Sequence, residues 1–440
     1  MDQSTIEKFG LEPIPENKKT TKWYEYAMIQ FSFSPNSGNF LVPAMAILAG
    51  GLSFGWALLC TIGGASLAFY IVSLMSLPGS KYGIPAQYAI RSFIGIKGAK
   101  YISSPVRAIT SLYWFAVQTI GGSLVIQVIF EKLGGITLPL LPISLFLSIL
   151  MSLLAIVGFE AVRKMTKYCL PVLISGGIIT LILYMISPLE SFHFATVWSS
   201  PNATNLLTSK IFYTGLAFVQ YLSGASSSAD LARYAKSERH SFWGLLIGNI
   251  LGFSFTAFLG IYTALAVGEW NPYVVANDIS SSKTITVVIF FSAMISMVLI
   301  NMNNAYSGGF SLLNSFPSLG GVKSTLLFCL FGILLSCFPT IVDEAKQYIS
   351  LLGVLIGPVI AVIFIEFVFI QKRTIDLTVL LGNYHYNRRA ISIILLGTLL
   401  AIILPSTWPT GTITFGIVSL IYAAMSKNQE VVNVKSYTNI

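Results

Sequence analysis

The sequence predicts an all-α polytopic membrane protein with twelve transmembrane helices. Three observations carry that prediction. First, 55% of the 440 residues are hydrophobic and only 10% are charged, with a mean hydropathy of +0.76; soluble domains of this size carry far more charge. Second, the apolar residues form long runs, not the in–out alternation of barrel strands. Third, Lys and Arg gather on one side. Of the 26, only Lys132, Lys210, Lys283 and Lys346 fall in the odd-numbered loops, and the other 22 fall in the N-terminus, the even-numbered loops and the C-terminus. The positive-inside rule then places both termini in the cytoplasm. The net charge of +9 reads as basic loops of a plasma-membrane protein, with no call for a nucleic-acid partner.

The runs are 26–49, 54–77, 105–131, 137–159, 167–187, 209–232, 243–267, 284–312, 323–342, 347–371, 390–405 and 410–425. Residues 1–25 are polar and show no signal-peptide pattern, so they form a cytoplasmic segment and the first span is retained. Spans one to five (26–187) form a first repeat, spans six to ten (209–371) a second of opposite orientation. The last two spans (390–425) follow, then a cytoplasmic tail (426–440).

Span one is interrupted at its middle by Ser34, Pro35, Asn36, Ser37, Gly38 and Asn39, all poor helix formers. Span six is interrupted by Ser223 to Ser228, "SGASSS". Lipid offers no partner to freed backbone groups, so such breaks survive only inside protein or a water-filled cavity. An offset of five spans inverts the second half relative to the first, and paired breaks in inverted halves mark a transporter's binding site. The plainer alternative is that small residues merely let helices pack closely. The backbone at Phe33, Ser34, Asn36, Ser223 and Gly224 supplies the candidate ligands at the breaks.

Span three carries "SLYWFAVQTIGG", in which Trp114 and Gln118 share a helix face. An indole offers a flat apolar surface and an amide offers both donor and acceptor, which suits a heterocycle with ring nitrogens and carbonyls. Core packing is an equally good reading of that pair alone. Span eight carries "LINMNNAYSGG", placing Asn301, Asn304 and Gly308 on one face. The acids nearest the membrane, Glu25, Glu160, Asp230 and Glu366, lie in loops or near span ends, so a neutral substrate fits better than a charged one. Cys60, Cys169, Cys329 and Cys337 sit in apolar spans without metal spacing, and no HExxH or GxSxG motif suggests an enzyme.

"WFAVQTIGG", "YLSGASSSADLARYAK", "NMNNAYSGG" and "RSFIGIKGAK" together resemble the purine–cytosine permease branch of nucleobase–cation symporter family one, whose members carry cytosine, purines, uracil, thiamine or allantoin. The resemblance covers roughly residues 20–425. It implies a LeuT-like fold of five-plus-five inverted repeats within the APC superfamily, with helices one and six broken. It implies import of a nucleobase by cation-coupled alternating access. The base would stack on Trp114 opposite Phe218 or Tyr221, with Gln118, Gln220 and Asn304 reading its edge and Asn301 beside them. Asp230 and Arg233 would be structural or gating. A coupling cation would sit near Gln30, Phe33 and Ser296, and no other cofactor is implied. Sodium-coupled relatives place two hydroxyl residues where this chain has Leu299 and Ile300, which leaves sodium and proton both open. A nucleobase and the lipid bilayer are the implied partners, and a monomer suffices. The other readings are a transporter of the same fold for hydantoin, allantoin or an amino acid, and, further off, a channel or receptor.

Overall fold

The computed structural model describes residues 10–155, 159–200, 202–381 and 384–427. The first nine residues of the expected N-terminal segment and the tail from 428 onward lie outside the described residues, as does the Glu160 side chain. The helices that build the spans and frame the breaks are α1 (Trp23–Phe33), α2 (Ser37–Leu48), α3 (Phe54–Leu74), α4 (Ala86–Ile94), α5 (Ser104–Gly134), α6 (Leu140–Ala155), α7 (Phe159–Ile186), α8 (Leu207–Leu222), α9 (Ser228–Ala232), α10 (Glu238–Val267), α11 (Pro272–Ile279), α12 (Lys283–Ser315), α13 (Gly320–Leu335), α14 (Ala345–Ile365), α15 (Arg388–Ile403) and α16 (Thr410–Lys427), joined by shorter helical turns. Each of the twelve apolar runs coincides with one or two of them. Seven helical stretches among the described residues are long and apolar enough to cross a membrane unaided. The broken spans fall short of that length because each is two helices.

Span one breaks where its sequence withdraws helix donors and supplies a cap. Pro35 has no N–H, and the Asn36 side chain accepts from the Asn39 N–H at 2.9 Å to start α2. Span six passes from α8 through a tight turn at Ser223–Ser226 before α9 resumes. Glycines set how closely the halves approach. A Cβ on Gly244 would stand 2.5 Å from the Tyr26 Cβ, and one on Gly248 would stand 2.6 Å from the Ala27 Cα, so α10 lies directly on α1. Next to α9, a Cβ on Gly79 would meet the Ala229 carbonyl at 2.3 Å.

One end of the bundle carries the basic loops. There the Thr21 N–H donates to Tyr234 at 2.9 Å and the Lys236 N–H donates to Thr21 at 2.9 Å, a short parallel bridge joining the start of α1 to the residues after α9. At the opposite end, α11 covers the first break. The Tyr273 hydroxyl donates to the Pro35 carbonyl at 2.8 Å, and Asn271 donates to the Ser37 hydroxyl at 3.3 Å. Lys132 closes the same end on the Asp278 carbonyl at 2.6 Å.

Candidate functional site

Three of the side chains expected from the sequence, Trp114, Gln118 and Gln220, meet at the first break. The Gly38 N–H donates to Gln118 Oε1 at 3.2 Å, and Gln118 Nε2 donates to Asn36 Oδ1 at 2.6 Å. Gln220, from α8, donates to the Gly38 carbonyl at 3.4 Å and to Asn39 Oδ1 at 3.3 Å. Gly38 has no room for a side chain: a Cβ there would lie 2.5 Å from Gln118 Nε2 and 3.2 Å from Trp114 Cε3. Trp114, Gln118, Gly38 and Gln220 therefore surround one point, drawn from spans three, one and six. Gln220 Oε1 is buried and accepts no hydrogen bond. Trp114 itself is half-buried, with its ring edge-on to Tyr113 at 4.9 Å.

Other expected contacts are directed elsewhere in this conformation. Tyr221 packs between Phe69 of α3 and Phe253 of α10, with centroids at 4.5 and 4.9 Å. Phe218 packs on Phe415 of α16 at 5.2 Å. Both rings are held by neighbouring helices and do not complete a sandwich with Trp114. Asn301 is fully buried and donates to the Phe115 carbonyl at 3.1 Å and to Thr119 Oγ1 at 3.2 Å, which fastens α12 to α5. Asn304 donates to Asn301 Oδ1 at 3.2 Å. The span-eight amides thus serve helix contacts first.

The carbonyls at the end of α1 are each supplied with a donor from the chain itself. Ser34 Oγ donates to Gln30 at 3.0 Å, Ser296 Oγ to Ser32 at 3.3 Å, and Asn36 Nδ2 to Phe33. Asn39 Nδ2 donates to the Ser34 carbonyl at 2.9 Å. A helix end normally leaves its last carbonyls open; here side chains occupy them. Leu299, buried on the upstream turn of α12, adds no oxygen. The second break is finished in the same way. The Ser223 carbonyl accepts from Ser226 Oγ at 2.8 Å and from Arg107 Nη1 at 3.2 Å, while the Ser226 carbonyl accepts from Gln87 Nε2 at 2.9 Å. Gly224 sits against Val72, its carbonyl accepting from the Ser227 N–H at 3.0 Å.

Several of these groups were not singled out in the sequence. Gln87 and Arg107 lie outside the broken spans. Gln87 is the end of a relay: Arg91 Nε donates to Asn314 Oδ1 at 2.8 Å, Asn314 Nδ2 to Ser104 at 3.0 Å, and Ser104 Oγ to Gln87 Oε1 at 3.1 Å. Burial lowers the Arg91 guanidinium from its ordinary value, and the Tyr88 ring lies 4.5 Å beneath it. A lone Arg at the mouth of an apolar span, as Arg107 is, was the available signal. A cavity of about 480 Å³ lies between α7 and α12, lined by Pro171, Val172, Ser175, Val287, Phe291 and neighbours. None of its lining residues belongs to either break, whose residues are buried apart from the half-buried Asn39 and Gly224.

Residues 13–425 match the sequence profile of the family described as permease for cytosine/purines, uracil, thiamine, allantoin. The chain belongs to this permease family. Its function is therefore transport and not catalysis, and it is a multi-pass membrane protein. The allantoin permease of Bacillus subtilis (strain 168) is 24% identical to this permease, over 89% of this chain and 86% of that one. The purine-uracil permease NCS1 of Arabidopsis thaliana is 25% identical, over 86% of this chain and 67% of that one. Among solved structures, MHP1, a nucleobase-cation-symport-1 family transporter in a closed conformation with bromovinylhydantoin bound, superposes with a TM-score of 0.80 at 18% identity, covering 97% of this chain and 96% of that one. The fold is accordingly the LeuT-like one, with helices one and six broken.

Proposed function

We propose that this permease carries a small neutral heterocycle of the nucleobase, hydantoin or allantoin kind across the plasma membrane, by cation-coupled alternating access. The orientation is both termini cytoplasmic with twelve crossings, supported by the 22-to-4 division of basic residues between the two sets of loops. The observation that carries the substrate class is Gln220 Oε1, a buried acceptor without a donor, beside Gly38 and Trp114. A buried acceptor left open costs free energy until a donor reaches it. A ring N–H is such a donor, and a half-buried indole provides the face on which the same ring lies. The groups that meet at Gly38 are amides, backbone and an indole, and among the described residues no charged side chain is hydrogen-bonded to them. That favours a neutral ring over an amino acid, whose two charges would each need a partner. The fold match to a transporter holding bromovinylhydantoin and the substrates named for the family support the same reading.

The test is a thermal-shift panel on the full-length protein with uracil, hypoxanthine, cytosine, allantoin and hydantoin, against leucine and glycine. A bound ligand raises stability by mass action. Stabilisation by one or more heterocycles is expected. Stabilisation by an amino acid with none by any heterocycle would sink this reading.

A further inference from the structure

The cavity of about 480 Å³ between α7 and α12 serves no group at either break. Its floor is a close helix contact. A Cβ on Gly176 would stand 2.2 Å from the Ser292 Cβ, and Ser292 Oγ donates to the Leu173 carbonyl at 3.2 Å. Its walls are Pro171 and Ser175 on one side and Val287, Phe291 and Ile295 on the other, and it opens outward, with Pro171, Ser175 and Phe291 exposed. Pro171 gives no N–H to the Lys167 carbonyl, so the hydrogen-bond ladder of α7 is interrupted beside the groove. The other helices leave most of α7 uncovered, and in a multi-pass membrane protein such a mouth meets lipid. From Val287 to Ile295 the groove runs about 12 Å at the helical rise of 1.5 Å per residue. That approaches the depth of one leaflet, half of a hydrocarbon core about 30 Å thick.

The groove ends at a charged rim. On α7, Lys164, Lys167 and Pro171 stand at i, i+3 and i+7, on one helix face. Lys167 is therefore one turn beyond the groove and Lys164 two. Both are exposed, and among the described residues neither is paired with a carboxylate. Their neighbour Arg163 is engaged, lying 3.4 Å from Glu25 of α1. Tyr168, 77% exposed, stands between the lysines and the groove, and such amphipathic rings sit at headgroup level. One stripe of α7 thus presents cations, then an interfacial aromatic, then an apolar slot. That is the order of a phospholipid from phosphate to tail.

We propose that this stripe seats one anionic phospholipid, with its phosphate on Lys164 and Lys167 and one acyl chain in the groove between α7 and α12. The chain gains little by entering, because the bilayer is as apolar as the groove walls. The groove fixes where the chain lies, and the lysines choose the lipid. Basic sites between transmembrane helices bind anionic headgroups, and each lysine near the surface is worth about fivefold in binding. A second copy of the chain is the poorer occupant. A two-fold axis along the membrane normal would bring the lysines of both copies together at one depth, like charges withdrawn from water without a partner. The seat lies behind the first break: the Thr166 hydroxyl of α7 is 3.3 Å from that of Ser32, whose carbonyl accepts from Ser296 of α12. The inference needs the chain in a bilayer and nothing of the substrate reading.

The test uses full-length protein, delipidated in detergent, and phosphatidylglycerol carrying a photoreactive diazirine in one acyl chain. After irradiation, mass spectrometry of peptides locates the label. It should fall on 171–175 and 287–295. Unlabelled phosphatidylglycerol should compete about 25-fold better than phosphatidylcholine with the same chains, the product of two lysine contributions. The Lys164→Gln/Lys167→Gln variant should lose that preference and label no more than with a phosphatidylcholine probe. Glycerol 3-phosphate, which has the anion and no chains, should not compete at equal concentration. Label spread evenly over the lipid-facing helices, equal competition by phosphatidylcholine, or an unchanged preference in the Gln variant overturns the proposal. So does displacement by glycerol 3-phosphate, which would mean an anion site without the groove, or a dimer that shields the groove peptides. If the Gln variant does not fold, Lys164→Arg/Lys167→Arg keeps both charges and should keep the preference, and its loss overturns the proposal equally.

Discussion

Replacing Gln220 by Leu separates substrate recognition from packing more cleanly than any other single change. Its Nε2 bonds are long, at 3.4 and 3.3 Å, so their loss costs the resting protein at most about 1 kcal/mol. Its Oε1 has no partner at rest, so nothing is lost there until a ligand arrives. A ligand N–H that satisfies this acceptor is worth about 1–3 kcal/mol against an analogue that cannot donate. At about 1.4 kcal/mol per decade, that is roughly five- to a hundredfold in Kd. The assay is calorimetric titration with the best heterocycle and with derivatives methylated at each ring nitrogen in turn, on wild type and Gln220→Leu. Wild type should discriminate against one methyl derivative by that factor. The variant should bind both weakly and alike, with a melting temperature close to wild type. The coupling free energy of the two-ligand, two-protein cycle measures the contact directly. A value near zero for every derivative would show that Gln220 only packs α8 on the first break.

Gln118→Leu should behave differently. It strands the Gly38 N–H and removes a 2.6 Å bond to Asn36, so chemical or thermal denaturation should show a loss of about 1–3 kcal/mol before any ligand is added. Trp114→Ala should weaken heterocycle binding about five- to a hundredfold, the scale of one base–aromatic stack, with expression near wild type; wild-type uptake would return Trp114 to core packing. Tyr221→Phe removes a buried hydroxyl that has no partner, so stability should hold or rise by up to about 1 kcal/mol. Gly248→Ala should destabilise by about 1–3 kcal/mol, because the new methyl would lie 2.6 Å from the Ala27 Cα; an unchanged unfolding midpoint would mean that α10 and α1 separate easily.

The sequence made the helices and both breaks legible because each is a local property. Apolar runs record membrane depth, and Pro35 with Asn36, or Ser223 to Ser228, records where helix donors and propensity fail. Ends were less legible. The fifth run was expected from 167, yet residues 159–166 are already helical, since Arg163, Lys164 and Lys167 continue the helix beyond the apolar zone. The meeting of Trp114, Gln118 and Gln220 around Gly38 was only partly legible: spacing put Trp114 and Gln118 on one helix face, whereas Gln220 entered through the family resemblance alone and Gly38 as a meeting point not at all. The turning of Tyr221 toward α3 and α10 did not, because no local pattern tells which of several helices receives a ring. The Arg91-to-Gln87 relay was invisible for the same reason: its members are 223, 210 and 17 residues apart along the chain. Finding it required the fold.

The short bridge between Thr21 and the residues after α9 is made of backbone groups alone. Peptide hydrogen bonds do not titrate in the physiological range, and they bind no counterion. The strap therefore holds independently of acidity and ionic strength. It ties α1 and α9 together at their ends away from the breaks, so displacing either half-span alone loads both backbone bonds. A proline at Lys236, which has no N–H to give, would cut one of the two stitches and let the half-spans part.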